Sequence, residues 1–375
     1  MCACSYTLRY LFSLLLTHAF SSSEEGVYLH TRSDGGLFNL SRLRAKTKVQ
    51  RVLIRDMLFA DDAALTAKSE EDLQRLISSF ADACREFGLT ISLKKTNIMA
   101  QDASVTPCIS INDHMLEVVE VFTYLGSKIS NNLSLDADLN TRIGKASTAM
   151  ARLSKRVWEN TMLTINTKMR VYQACVLSTL LYGSETWSLY AHQEQRLNAF
   201  HMRCLRRILG ITWQDHVTNK AVLEKAGILS MFALLSQRRL RWLGHVSRMD
   251  DGRIPKDLLY GQLEIGSRPV GRPALRFKDV CKRDMKNCDI NPSNWENMAA
   301  DRNSWKDAVK TGAHVGNQKK VQQWEERKER RRQGSESAPQ SQEVVFTCSK
   351  CKKICRSRIG LHSHSRRCSQ TSECL

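Results

Sequence analysis

The feature that most restricts the fold of this 375-residue chain is a set of four residues near its end, Cys348-x2-Cys351-x12-His364-x3-Cys368. Two cysteines separated by two residues make a knuckle around a metal, and a pair spaced like His364 and Cys368 shares one face of a helix. Zinc takes such sulfur and nitrogen donors in tetrahedral geometry. The spacing therefore predicts a short metal-pinned unit, turn first and helix after. His362 is a rival ligand, but it would leave five residues before Cys368, at the edge of the usual range. Cys355 and Cys374 fall outside the set.

The other cysteines point the same way. Thirteen are present, and the eight before Cys348 are scattered along the chain rather than spaced as a disulfide framework. A reducing compartment, nuclear or cytoplasmic, is expected. Charge then narrows the partners. Fifty-seven Lys plus Arg against thirty-eight Asp plus Glu gives +19, with a pI near 9.5. Nucleic acid is the first expected partner and an anionic membrane surface the second. The apolar stretch from Tyr10 to Leu16 follows Arg9 and mimics a weak signal peptide, but it is too short to span a bilayer. It reads as the amphipathic part of a core helix; a secreted or membrane protein would rest on this stretch alone.

Residues 26 to 67 read as strands and turns. Gly26 to His30 alternates, Ser33 to Gly36 marks a turn, and Leu37 to Leu40 resumes an apolar run. Val52-Leu-Ile54 and Met57-Leu-Phe-Ala60 lead into Asp61-Asp62, with Ala63 to Ala67 following. That pattern predicts a hairpin carrying carboxylates at its tip. Ser69 then caps a helix, with Asp72 three residues on and Leu73, Leu76, Ile77, Phe80, Cys84 and Phe87 at helical spacing up to Gly88. Leu89 to Met99 predicts another strand, and Val121 to Ile129 a hairpin around Gly126.

From about Arg142 the pattern becomes helical and basic. Ile143, Ala146, Met150, Leu153 and Val157 share one face at ~100° per residue. Arg142, Lys145, Arg152 and Arg156 form a stripe beside them, suited to tracking phosphates. Similar patterns recur at Glu194 to Leu209, ended by Gly210, and at Ile228 to Leu243, ended by Gly244. Gly266 to Pro273 is loop-like; its Gly-Arg-Pro core suits either a minor-groove arginine hook or a simple turn. Lys319 to Arg332 is a charged helix, followed by the polar linker Gln333 to Gln342.

Carboxylates on a rigid hairpin suit metal-assisted phosphoryl transfer, in which divalent ions hold the attacking hydroxyl and the leaving pyrophosphate. Alone, Phe59-Ala-Asp-Asp62 reads as a polar turn between strands.

Its context adds a resemblance. Leu58-Phe-Ala-Asp-Asp-Ala-Ala-Leu65, Gly88-Leu-Thr-Ile-Ser-Leu-Lys-Lys-Thr96 and Phe122-Thr-Tyr-Leu-Gly-Ser127 resemble, in order and spacing, the later palm motifs of reverse transcriptases. The likeness is strongest to those of non-LTR (LINE-type) retrotransposons. Val171 to Trp187 and Arg238 to Val246 are similar to the thumb and the region after it in those elements. The resemblance implies that Asp61 is a metal-binding carboxylate and Asp62 its acidic neighbour. It implies that Lys95 helps protonate pyrophosphate, and that Tyr124-Leu125-Gly126 grips the primer end.

In the family, a first catalytic aspartate lies on an earlier strand, followed by a Gly/Gln-containing segment. Leu11-Phe-Ser-Leu14 resembles the residues just after that segment, so the chain is expected to begin downstream of both, without fingers or endonuclease. Asp34 and Asp56, the only aspartates before Asp61, lie in no matching strand. The expectation is a truncated RNA-directed DNA polymerase, inactive alone, using Mg2+ only if a missing palm half is supplied in trans.

The terminal segment is similar to the two-cysteine, two-histidine finger variant in which cysteine replaces the last histidine. That likeness implies a ββα fold, with Phe346 and Leu361 in its small core and Cys355 where a bulky aromatic is common. The base-reading positions would be Ser357, Gly360 and Ser363, none able to make bidentate base contacts. Arg356, Arg358, Arg366 and Arg367 remain for phosphates, which implies a non-specific DNA or RNA clamp.

The expected fold class is α+β: a truncated reverse-transcriptase palm over 1–135, thumb-like helices over 136–190, a basic helical extension over 191–332, a polar linker over 333–345 and a ββα zinc finger with CCHC ligands over 346–368. The alternative is a non-enzymatic zinc-finger nucleic-acid-binding protein, domesticated or degenerate, in which Asp61 and Asp62 have no role.

Overall fold

Helical periodicity outweighs alternation along most of this chain, and the computed structural model follows it. The structure describes residues 3–45, 47–103, 105–266, 271, 273–336, 346–355, 358–365 and 368. They divide into two units, Met1–Lys319 and Lys320–Leu375.

In the first unit, α1 (Ala3–Phe20) packs on α2 (Glu70–Glu86), burying Leu15 with Ala83 and Cys84. The apolar stretch Tyr10 to Leu16 thus belongs to a packed helix. The Ser69 hydroxyl accepts the Asp72 N–H at 3.1 Å, and Glu70, Glu71 and Asp72 face the positive end of the helix dipole. Between these helices, β1 (Val27–Thr31) and β2 (Gln50–Ile54) pair antiparallel. β3 (Asp56–Phe59) and β4 (Asp62–Leu65) form the expected hairpin.

The strand expected over Leu89 to Met99 shrinks to β5 (Asn97–Ile98). Its first half instead folds into a tight 3₁₀ turn, Leu93–Lys95, where the Ser92 carbonyl accepts both the Lys95 N–H and the Thr96 hydroxyl. Those local bonds satisfy groups that a sheet ladder would otherwise use. β6 (Ser110–Ile111) and β7 (His114–Met115) pair antiparallel, and β8 (Glu117–Val118) pairs parallel with β5. These short strands cover Ile77 with Ile98, Ile109, Ile111 and Leu116. β9 (Val121–Tyr124) and β10 (Ser127–Ser130) make a second hairpin, turning through Leu125 and Gly126 at φ 48° and 81°. Two positive-φ residues match the strand twist in a two-residue loop.

The helical part contains α3 (Asp136–Arg152), α4 (Ile165–Val171), α5 (Ser178–Leu180), α6 (Ala191–Leu209), α7 (Asn219–Ala226) and α8 (Met231–Ser247). They enclose one core that includes Leu139, Met150, Tyr172, Leu197 and Leu235. After α3 the chain widens into a π turn, Ser154–Trp158. The wider turn buries Trp158, whose Nε1 donates to the Met150 carbonyl at 2.7 Å.

A second core gathers Leu240, Leu243, Trp295, Trp305 and Met285. It is built by α8 with α9 (Ile254–Tyr260), α10 (Phe277–Asn287), α11 (Trp295–Ala300) and α12 (Arg302–Glu336). Gly244 does not end α8 as expected. The helix passes through it to Ser247 because the Trp305 indole occupies the space a side chain would fill: a Cβ there would lie 2.1 Å from Trp305 Nε1. That Nε1 donates to the Leu240 carbonyl at 2.9 Å, so the indole has little freedom to retreat. Gly244→Ala is expected to destabilise the protein by about 1–3 kcal/mol despite alanine's better helix propensity. A urea midpoint equal to or above the parent's would contradict this packing.

β11 (Gln262–Leu263) adds to the free edge of β1, giving the sheet order β11-β1-β2. α12 begins well before Lys319 and runs past Arg332. In the second unit, β12 (Phe346–Thr347), β13 (Ile354–Cys355) and α13 (Arg358–Ser365) form a ββα arrangement. Residues 267–270 and 272 of the Gly-Arg-Pro loop, 337–345 of the linker, and Arg356, Ser357, Arg366, Arg367 and Cys374 lie outside the described residues. Among the described residues, no helix is long and apolar enough to cross a membrane.

Candidate functional site

The β3–β4 hairpin turns through Ala60, at φ 54°, and Asp61, while Phe59 pairs with Asp62 across it. Phe59, Asp61 and Asp62 are exposed. The Tyr124 phenol is held above its ordinary pKa by burial and by the negative charge of Asp62. Lys95 is exposed on the Leu93–Lys95 turn and makes no ion pair with Asp61 or Asp62.

Two carboxylates suffice for one magnesium ion that also holds substrate phosphates. A two-ion site, with its metals about 3.5–4 Å apart, needs a further bridging ligand. Among the described residues, no third carboxylate, histidine or cysteine converges on Asp61 and Asp62. Among the described residues, Asp61 and Asp62 are thus not part of a larger ligand cluster.

The second turn is locked from behind, and the lock corrects an expectation. The helical wheel puts Arg142 on the phosphate-tracking stripe, but the structure buries it. Its Nη2 donates to the Gly126 carbonyl at 2.6 Å and to Ser127 Oγ at 2.9 Å. Its Nε lies 3.5 Å from Asp138, and its guanidinium 4.5 Å from the Tyr182 ring centre. Asp138 accepts the Lys128 N–H at 3.0 Å, and the Tyr182 hydroxyl donates to the Leu125 carbonyl at 3.1 Å. The reason is geometric. α3 presents the edge of its apolar face to a turn rich in carbonyl acceptors, and buried acceptors need donors. The spacing of Asp138 and Arg142, one helical turn apart, is a legible sign of a paired arginine. Tyr182 carries no such sign. Lys145, Arg152 and Arg156 do remain exposed, as their stripe predicts.

In the second unit the expected ligand set converges. Donor atoms of Cys348, Cys351, His364 and Cys368 all lie within 4.8 Å of one another. Cys351 Sγ is 3.0 Å from His364 Nε2, and the Cys348 and Cys368 sulfurs are 3.9 Å apart. A tetrahedral zinc with bonds of about 2.0–2.3 Å places neighbouring ligands ~3.5–3.8 Å apart. The set therefore fits zinc with small adjustments. Backbone N–H groups of Cys351 and Lys350 lower the Cys348 thiol to about 6, a thiolate-favouring setting, while sharing a proton with Cys351 and then burial push Cys368 up to about 11. His362 and Cys355 stay outside the cluster. Of the proposed finger arginines, Arg358 alone is described, at the start of α13.

Residues 37–129 match the reverse transcriptase (RNA-dependent DNA polymerase) family, a span that includes both hairpins and Lys95. The chain is also similar to an uncharacterized transposon-derived protein of Caenorhabditis elegans. The two are 26% identical over 265 residues, covering 67% of this chain and 94% of that protein. No solved structure matches. The family likeness thus falls on the hairpin-bearing part of the first unit, residues 37–129.

Proposed function

We propose that this chain derives from the reverse transcriptase of a LINE-type element, holds RNA or DNA without strong sequence preference, and does not copy it unaided. The observation that carries the reading is the β3–β4 hairpin with its exposed Asp61-Asp62 tip, inside the same reverse-transcriptase match as the Tyr124 turn, with no third ligand converging among the described residues. In this reading Asp61 and Asp62 are inherited metal carboxylates and Lys95 an inherited pyrophosphate lysine. Tyr124, Leu125 and Gly126 face the primer end, and Lys145, Arg152 and Arg156 contact phosphates. The C-terminal cluster binds zinc, and the finger adds a phosphate-contacting clamp. The free thiols among the described cysteines suit a nuclear or cytoplasmic setting.

The test is Mg2+-dependent primer extension by the purified chain, with and without an added palm fragment carrying the first catalytic aspartate. The chain alone should extend at least ~10³-fold more slowly than a complete reverse transcriptase, because one ligand of the two-ion site contributes several kcal/mol to the transition state. Robust extension by the chain alone, abolished by Asp61→Ala, would overturn the reading.

A further inference from the structure

We infer that Trp213, at the basic end of α6, is a stacking platform for an unpaired base of bound single-stranded nucleic acid. The inference rests on the nucleic-acid-binding reading above and assigns it a place and a contact mode.

A tryptophan is seldom left in water, because its indole is the largest apolar surface a side chain can bury. Trp213 is 80% exposed. It is not on a loose tail. The Thr212 N–H and hydroxyl donate to Asp215 at 2.6 and 2.9 Å, and the His216 N–H reaches the Trp213 carbonyl at 3.4 Å. Arg206 of α6 ties the far side of the loop, donating to the Val217 carbonyl at 3.2 Å and to Asn219 at 2.7 Å. The indole is thus presented to solvent on a braced turn, so little ordering entropy opposes stacking on it.

The helix that leads into this turn belongs to a mostly basic surface. Arg196 near the start of α6 bonds Asp136 and Asn140 of α3, and Arg207 near its end bonds Ser154 Oγ at 2.6 Å. The two helices therefore lie side by side and run in the same direction. That alignment puts the exposed Arg203 and Arg207 beside the exposed Arg152, Lys155 and Arg156. Among the described residues, only Arg207 of these five has an acidic partner, Glu159 at 3.8 Å. Asp215, the other nearby acid, is committed to Thr212.

Trp213 follows Arg207 by six residues on that braced turn, and cations with an exposed aromatic close by in the chain suit single strands, phosphates on the cations and a base on the ring. A duplex would satisfy the cations but keep its bases away from Trp213. A protein partner would be expected to meet an apolar surround rather than five cations.

The experiment measures binding of the full chain to labelled oligothymidine, oligouridine, an abasic oligomer of equal length, and duplex DNA. Trp213→Ala should weaken binding to both base-bearing single strands by about 5- to 100-fold. It should leave the abasic and duplex affinities and the salt slope unchanged, and Trp213→Phe should keep most of the affinity. Arg203→Gln should do the reverse, reducing the single-strand salt slope by about 0.7 for every ligand that bears phosphates. If the chain binds single strands and Trp213→Ala matches the parent, the platform is wrong while the broader reading stands. The platform is equally wrong if Trp213→Ala instead dissociates a dimer. A parent chain that binds no nucleic acid sinks both.

Discussion

If the Cys348-Cys351-His364-Cys368 cluster holds zinc as proposed, replacing Cys348 with serine is expected to abolish zinc binding and to unfold the C-terminal finger, leaving the first unit intact. Among its described residues the finger buries little apolar surface to fall back on. α13 buries no residue, Phe346 and Leu361 are only half-buried, and Cys348 is buried as part of the ligand cluster itself. Structural zinc in such sites contributes an apparent ~10–16 kcal/mol, more than so small a segment gains from packing. His364→Ala and Cys368→Ser should act as Cys348→Ser does. Cys355→Ser and His362→Ala should retain one zinc per chain, because neither side chain enters the cluster. Elemental analysis of the purified chain reads the metal, and the main thermal transition reads the unit Met1–Lys319. Full zinc retention in Cys348→Ser would refute the ligand set.

The second large effect is expected at Arg239, in the middle of α8. Its side chain is 1% exposed, and its Nε donates to Asp284 of α10 at 2.6 Å. Its Nη2 lies 3.6 Å from Glu194 of α6, which Arg283 also approaches at 3.3 Å. Burial alone would discourage its charge, yet the two carboxylates outweigh that and hold the guanidinium above its ordinary range. One cation thus neutralises acids from two other helices. Arg239→Met leaves Asp284 buried and uncompensated, and should cost about 3–5 kcal/mol, lowering Tm by roughly 6–20 °C. The double substitution Arg239→Met with Asp284→Leu should recover part of that loss, since Glu194 keeps Arg283. Thermal unfolding followed by circular dichroism checks both. A single variant that melts within ~1 °C of the parent would show that the cluster is not a stabilising centre.

Arg239 and Arg142 illustrate where sequence reading stops. Both sit in basic amphipathic patterns that suit a solvated or phosphate-binding face. A helical wheel gives the angle at which a side chain leaves its helix, but not what stands opposite. Opposite Arg142 stands a hairpin turn whose carbonyls need donors, and opposite Arg239 stand two carboxylates. Lys145, Arg152 and Arg156 have open solvent opposite, so the same wheel places them correctly. Gly244 misleads for a related reason. A glycine reads as a helix end unless a distant tryptophan needs its space.

What chain order alone decided here acts over a turn or two. Ser69 caps α2, the apolar runs flanking Asp61-Asp62 make the hairpin, and the Cys/His spacing gathers four ligands. Each works because its partners are near in sequence and their geometry follows from backbone periodicity. The Arg142 and Tyr182 lock and the pairing of β11 with β1 were decided only by the tertiary fold. In each, the partners come from separate elements, and which surfaces meet depends on how the two cores pack. The acidic pair was legible as a motif; that no third ligand converges on it among the described residues was not.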